Sequence, residues 1–196
     1  MPFASRRNLL LGIGSLAAAA MPPAVAFAEQ RLAKLRPAAA PETAPRRLRL
    51  YNAGTKETFD REYHDGGALI GAAHDELDWF LRDFHENQAT RMNPALFDQL
   101  WRFQLRLARA GFGAGPLWVH SGYRTQKTNE SLRREGAAHN SRHLTGEAVD
   151  VSVPGHGIFN YERIAEWSAT GGLGLYYWDH FVHFDVGPRR YWAQPR

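Results

Sequence analysis

The chain has no cysteine among its 196 residues, and this absence constrains its fold more than any single motif does. Without disulfides, no covalent staple assists the folded part, which therefore requires a sizeable apolar core. The length and a 44% hydrophobic content suffice for one such core. The same absence narrows the chemistry. No thiol is available as a nucleophile or for lipid attachment, and any metal site has to be built from histidine and carboxylate.

The first residues read as an address rather than as fold. Arg6-Arg7 stands just before the apolar stretch Leu9 to Ala20, and Ala26-Phe27-Ala28 supplies the small-x-small pattern of a signal-peptidase site. The paired arginines point to the twin-arginine (Tat) route and hence to a periplasmic protein. The stretch is shorter than the roughly 20 apolar residues of a spanning helix and runs into Pro22-Pro23. No stable membrane insertion is therefore expected once residues 1–28 are removed. Residues 29–46 are rich in Ala, Pro and charge and read as a linker, which leaves 47–196 as the folded domain. The net charge of +4 falls further when Arg6 and Arg7 leave with the leader. So mild a balance carries no nucleic-acid footprint, yet it is compatible with an anionic polymer as partner.

Within the domain, Leu48 to Asn52 alternates apolar and polar residues, Ala53-Gly54 turns, and Glu57 to Tyr63 returns as the second strand of a hairpin. Leu77, Phe80, Leu81 and Phe84 recur at helical spacing, as do Leu96, Leu100, Phe103 and Leu107. Asn93-Pro94 caps the second of these helices and Gly111 ends it. Pro116 to Ser121 is strand-like, and Thr125 to Arg134 is compatible with a helix. Gly146 to Val153 alternates Ala148, Asp150 and Ser152 against Val149, Val151 and Val153. Tyr161 to Ala169 is a short helix, and Leu173 to Trp178 and Phe181 to Val186 pair around a turn at Asp179-His180. Helices early and strands late predict a single α+β domain, an antiparallel sheet flanked by helices.

Six of the nine histidines fall between positions 120 and 183. Ser141-Arg-His143-Leu-Thr-Gly146-Glu-Ala148-Val-Asp150 sets a histidine in a loop and an aspartate in the strand that follows, while Phe181-Val-His183-Phe-Asp185 sets a histidine in an apolar strand. Asp150 and His183 lie among β-branched and aromatic neighbours, where an unpaired polar group costs roughly 2–7 kcal/mol. A shared cation removes that cost. Two histidines and one aspartate leave the fourth tetrahedral position of zinc open, the arrangement of a catalytic rather than a structural site.

The ordered set Ser121-Gly-Tyr-Arg124, Ser141-x-His143-x-x-Gly146-x-Ala148-x-Asp150 and Phe181-Val-His183 resembles the D-Ala-D-Ala metallopeptidase superfamily, and within it the murein endopeptidase K family. The closing Asp185-Val-Gly187-Pro188-Arg-Arg-Tyr191-Trp192 is similar to that family's C-terminal pattern. The likeness covers about residues 47 to 192. It implies a hedgehog-like (D-Ala-D-Ala-peptidase-like) fold, a Zn2+ cofactor held by His143, Asp150 and His183, and peptidoglycan peptides as substrate. It also implies that Arg124 binds a substrate carboxylate or stabilises a tetrahedral oxyanion. Many relatives place a glutamate three residues before the last histidine ligand. Here that position is His180, whose imidazole suits proton transfer near neutrality and is the candidate general base. Asp179 and Asp185 are the other candidates. Asp185 shares a strand face with His183, which favours a role in orienting that ring over the base role.

No motif position claims His120, His139 or His156, which read as structural or exposed, and His64, His74 and His85 read as surface residues. The run Tyr176-Tyr177-Trp178 is open to two readings, the lining of a substrate groove or core in a strand, of which core is favoured. The favoured function is a zinc endopeptidase cutting D-Ala–diaminopimelate or diaminopimelate–diaminopimelate cross-links. The alternatives are a D,D-carboxypeptidase or dipeptidase on stem peptides, and a non-catalytic wall-binding module that keeps its metal for stability.

Overall fold

Alternating burial closes the expected hairpin: β1 (Arg46–Asn52) and β2 (Thr58–His64) run antiparallel, from Arg46 opposite His64 to Tyr51 opposite Thr58. The computed structural model describes residues 43–194, so the leader 1–28 and the linker up to residue 42 lie outside the described residues. Five further strands follow: β3 (Leu117–Ser121), β4 (Ala148–Ser152), β5 (Gly172–Tyr176), β6 (Phe181–Asp185) and β7 (Arg190–Ala193). Together they form one seven-stranded sheet in the order β2-β1-β3-β4-β6-β5-β7.

The sheet is mixed, not wholly antiparallel as the sequence predicts. β1 runs parallel to β3 and β5 parallel to β7, while the remaining neighbours are antiparallel. Two helices, α1 (Gly71–Phe80) and α2 (Pro94–Arg109), intervene before β3. A crossover of that length returns the chain in its original direction. β7 is parallel to β5 because two successive reversals, through β6, restore the direction of β5. Two shorter helices, α3 (Gln126–Ser131) and α4 (Glu162–Ser168), complete an α+β architecture.

α2 is the organising helix. The Asn93 side chain accepts from Ala95 N at its start, and Gly111 follows its end at φ +90°, a left-handed stop that favours glycine. Leu96, Phe97, Leu100, Phe103 and Leu107 form its buried stripe. Phe103 packs edge-on against Phe184 of β6 at 5.1 Å and near Tyr161 at 6.0 Å. Val149, Val151, Val182 and Phe184, each 0% exposed, form the sheet side of this core. Side chains alternate along a strand, so Asp150 and His183 project from the opposite face. All five residues of β4 are buried nonetheless.

α1 stops at Phe80, short of the helix that Leu77 to Phe84 suggests. Tertiary contacts take the chain out of helical geometry. Asn52 Nδ2 donates to Phe80 O, Arg82 pairs with Glu57 at 2.8 Å, and Asp83 reaches Thr125. Leu81 still enters the core, so its apolar character reported burial rather than helix. His74 corrects a second expectation. It is 3% exposed, with Nε2 3.0 Å from Met92 O and its ring edge-on to Phe97, not a surface residue. Among the described residues no helix is long and apolar enough to cross a membrane.

Candidate metal centre

Strand register assembles the site. Ser121 of β3 lies opposite Asp150 of β4, and Asp150 lies opposite His183 of β6. Gly174 of β5 lies opposite His183, and Trp192 of β7 opposite Gly174. One row of residues therefore crosses five strands on the face away from α2. His143 arrives from outside the sheet, on a 3-10 turn (Arg142–Thr145). Ser141 opens this turn by accepting from His143 N, and Gly146 closes it at φ +69°. A Cβ on Gly146 would stand 2.8 Å from Arg91 O, so the position requires glycine for space as well as conformation.

The three side chains meet closely. His143 Nε2 and His183 Nδ1 are 3.2 Å apart, and Asp150 Oδ1 lies 2.9 Å from His183 Nδ1 and 3.3 Å from His143 Nε2. One donor atom from each lies within 4.8 Å of the others. The far nitrogen of each ring is engaged elsewhere: His143 Nδ1 donates to Gly122 O at 2.6 Å, and His183 Nε2 donates to Asp185 Oδ2 at 3.1 Å. These bonds commit the far nitrogens, so that His143 Nε2, His183 Nδ1 and the carboxylate oxygen are the atoms directed at one point. The trio is 2–8% exposed. Two imidazole nitrogens and a carboxylate oxygen, buried and convergent, fit zinc.

The electrostatics follow from burial and mutual contact. Burial disfavours the charged form of Asp150, but the His143 and His183 rings and Arg124 outweigh it and hold the carboxyl well below its usual range. Burial pushes the His143 pKa down. For His183 burial acts in the same sense, but hydrogen bonds to Asp150 and Asp185 prevail and raise its pKa.

The trio lines a cavity of about 740 Å3, which Arg124, His120, Asp179, Tyr176 and Trp192 also line, a volume in the range of small-molecule sites. Arg124 Nε donates to Ser121 Oγ at 2.7 Å and its Nη2 to Asp150 Oδ2, while Nη1 makes no hydrogen bond among the described residues. His180 sits at φ +58° in the turn between β5 and β6, exposed and outside the cavity lining, whereas its neighbour Asp179 lines the cavity and accepts from Gln194 Nε2 at 2.7 Å. Asp185 lies behind His183, as the shared strand face suggests.

Sequence reasoning passed over three contributors. His120, half-buried, faces the cavity and bonds Ser152 Oγ at 2.7 Å. Burial lowers its pKa, opposed by the charge of Asp150. Tyr176 and Trp192 are cavity walls. Of the Tyr176-Tyr177-Trp178 run only Tyr177 is buried core, and Trp178 is 70% exposed. The C-terminal pattern was a usable signal for Trp192, and the aromatic run was one for Tyr176; nothing marked His120.

Comparison with known proteins adds an independent line. The family model described as peptidoglycan L,D-endopeptidase MepK matches residues 39–192. The chain is 35% identical over 193 residues to the peptidoglycan L,D-endopeptidase MepK of Escherichia coli (strain K12), covering 97% of this chain and 98% of the relative. The same figures hold for the protein of that name from Shigella flexneri. The probable peptidoglycan L,D-endopeptidase MepK of Haemophilus influenzae is 34% identical over 150 residues, 76% of this chain and 79% of the relative.

Proposed function

The chain belongs to the peptidoglycan L,D-endopeptidase MepK family, and from that membership we propose that it is a zinc-dependent peptidase hydrolysing peptide cross-links of bacterial peptidoglycan. The observation that carries the reading is the convergence of His143 Nε2, His183 Nδ1 and Asp150 Oδ1 in the wall of an open cavity. When bound there, zinc supplies Lewis acidity, polarising a carbonyl and lowering the pKa of water to about 7. The rest falls to the chain's own residues. Arg124 orients Asp150 through Nη2 and keeps Nη1 for a carboxylate or a developing oxyanion. Tyr176 and Trp192 present aromatic surface to the peptide. The D-Ala-D-Ala-peptidase-like fold, the Tat leader at 1–28 and the linker at 29–46 belong to the same proposal, because a wall peptidase has to work outside the cytoplasm.

The relatives' name specifies a bond between an L and a D centre. A diaminopimelate–diaminopimelate cross-link joins such centres, whereas a D-Ala–diaminopimelate link joins two D centres, so the former is the proposed substrate. Purified protein incubated with defined muropeptide dimers is expected to convert the diaminopimelate-linked dimer to monomers, as read by mass spectrometry. Chelator should stop the reaction and zinc restore it. Cleavage of the D-Ala-linked dimer alone would reassign the bond. Release of terminal residues alone would make the protein a carboxypeptidase. Metal retention with no product from any substrate would make it a binding module.

The general base is proposed to come from the turn between β5 and β6. His180 has the suitable imidazole but acts only if its ring turns inward, and Asp179 already lines the cavity. Tested side by side, His180→Ala and Asp179→Asn are expected to separate. Loss of the base lowers kcat by roughly 10²–10⁴-fold with zinc retained, and loss of the other leaves kcat within a few-fold. Retained turnover in both variants would remove the turn from the mechanism.

A further inference from the structure

The C-terminal pattern Asp185 to Trp192 holds residues that the metal trio does not account for. β7 is an edge strand, separated from β6 by β5, yet its side chains reach β6. Arg190 grips Asp185 with both terminal nitrogens, Nη2 to Oδ2 at 2.6 Å and Nη1 to Oδ1 at 3.1 Å. The Trp192 ring lies 5.2 Å from the His183 ring. The Arg190 guanidinium stacks over Trp192 at 5.0 Å, and Trp192 Nε1 donates to Tyr176 Oη at 3.0 Å.

Such reach across an intervening strand is possible because β5 carries glycine at both crossing points. Gly172 pairs with Arg190 and Gly174 with Trp192. A Cβ on Gly172 would stand 2.3 Å from Asp185 Oδ2 and 2.9 Å from Arg190 Nη1, and a Cβ on Gly174 would stand 2.5 Å from the Trp192 ring. Neither glycine has a positive φ; what these positions require is the absence of a side chain.

Asp185 is 0% exposed. Its Oδ1 also accepts from Gly172 N at 3.1 Å and Gly187 N at 2.8 Å, while Oδ2 accepts from His183 Nε2. The bidentate grip fixes the plane of the carboxylate, and that plane aims Oδ2 at the outer nitrogen of His183. With Nε2 so held, Nδ1 faces Asp150 and His143. We propose that Arg190 is a positioning residue for the metal centre, acting through Asp185 on the His183 ring, with Gly172 and Gly174 forming the slot that lets β7 do so. The proposal rests on the metal reading of the trio.

The test is zinc affinity of the full chain, measured by competition with a chromophoric chelator and therefore independent of turnover. Arg190→Gln is expected to weaken zinc about 10–100-fold, the usual cost of losing a residue that supports a ligand. Arg190→Lys should recover part of this. Arg189→Gln, the same charge removed one residue away, should stay within about twofold, because the effect is one of hydrogen-bond geometry. Gly172→Ala, which removes no charge but sets a methyl group against Asp185 Oδ2 and Arg190 Nη1, should weaken zinc like Arg190→Gln. In an Asp185→Asn background, Arg190→Gln should add nothing, the signature of a residue acting through its partner. Unchanged affinity in Arg190→Gln, or an equal loss in Arg189→Gln, would overturn the proposal while leaving the metal reading intact. Failure of the unmodified chain to take up zinc would overturn both.

Discussion

Asp150→Ala is expected to abolish metal retention and hydrolysis together. The carboxylate is the hub of the site: Oδ1 faces both histidine nitrogens and Oδ2 is held by Arg124. Its removal leaves two nitrogens 3.2 Å apart with no anion between them, and strands a guanidinium whose side chain is only 13% exposed. Elemental analysis should find no stoichiometric zinc in the variant, and muropeptide cleavage should fall to background. In the chelated protein the cost should appear as lost stability, about 3–5 kcal/mol for breaking a buried ion pair from one side, read from denaturant unfolding. The unmodified chain should bind zinc less tightly as pH falls, because the raised pKa of His183 makes the metal displace a proton. Stoichiometric zinc in Asp150→Ala would remove Asp150 from the ligand set.

Gly122→Ala is expected to be the most damaging change that touches no functional side chain. A Cβ there would lie 2.3 Å from Leu81 O and 2.9 Å from Leu81 Cβ, and the Leu81 carbonyl already accepts from Tyr123 N at 2.7 Å. The chain has to shift. Gly122 O is the group that fixes the His143 tautomer at 2.6 Å, and Arg124 follows two residues later. Overpacking of this kind costs about 1–3 kcal/mol. Displacing a ligand's hydrogen-bond partner should weaken zinc about 10–100-fold. Thermal unfolding and zinc competition on the same sample check both effects. Unchanged zinc affinity with lowered stability would show that Gly122 serves packing alone.

Both variants show why the site was only partly legible in the sequence. Asp150 and His183 stood out because a polar residue in an apolar strand needs a partner. The same logic could not say that they face each other, since register between β4 and β6 depends on which strands become neighbours. Asp83 gave no signal at all. It anchors the Arg124 loop through Thr125 N and Oγ1 at 2.8 and 2.9 Å, a contact between residues 42 positions apart. His74 carried the wrong signal, because a histidine among charged residues looks exposed until a helix buries it against Phe97.

Local chemistry therefore determined the elements themselves: the β1–β2 hairpin, α2 with its Asn93 cap and Gly111 stop, and a strand around Asp150. These depend on turn residues, caps and periodicity within a few positions of each other. The absence of cysteine likewise restricted any metal site to histidine and carboxylate. Only the tertiary structure decided that β1 and β3 run parallel, that Leu81 leaves its helix, and that Arg190 and Trp192 cross two glycines to reach Asp185 and His183. Those outcomes depend on which strands become neighbours and which surfaces are buried together. That is a balance of long-range packing against chain entropy that no local window contains.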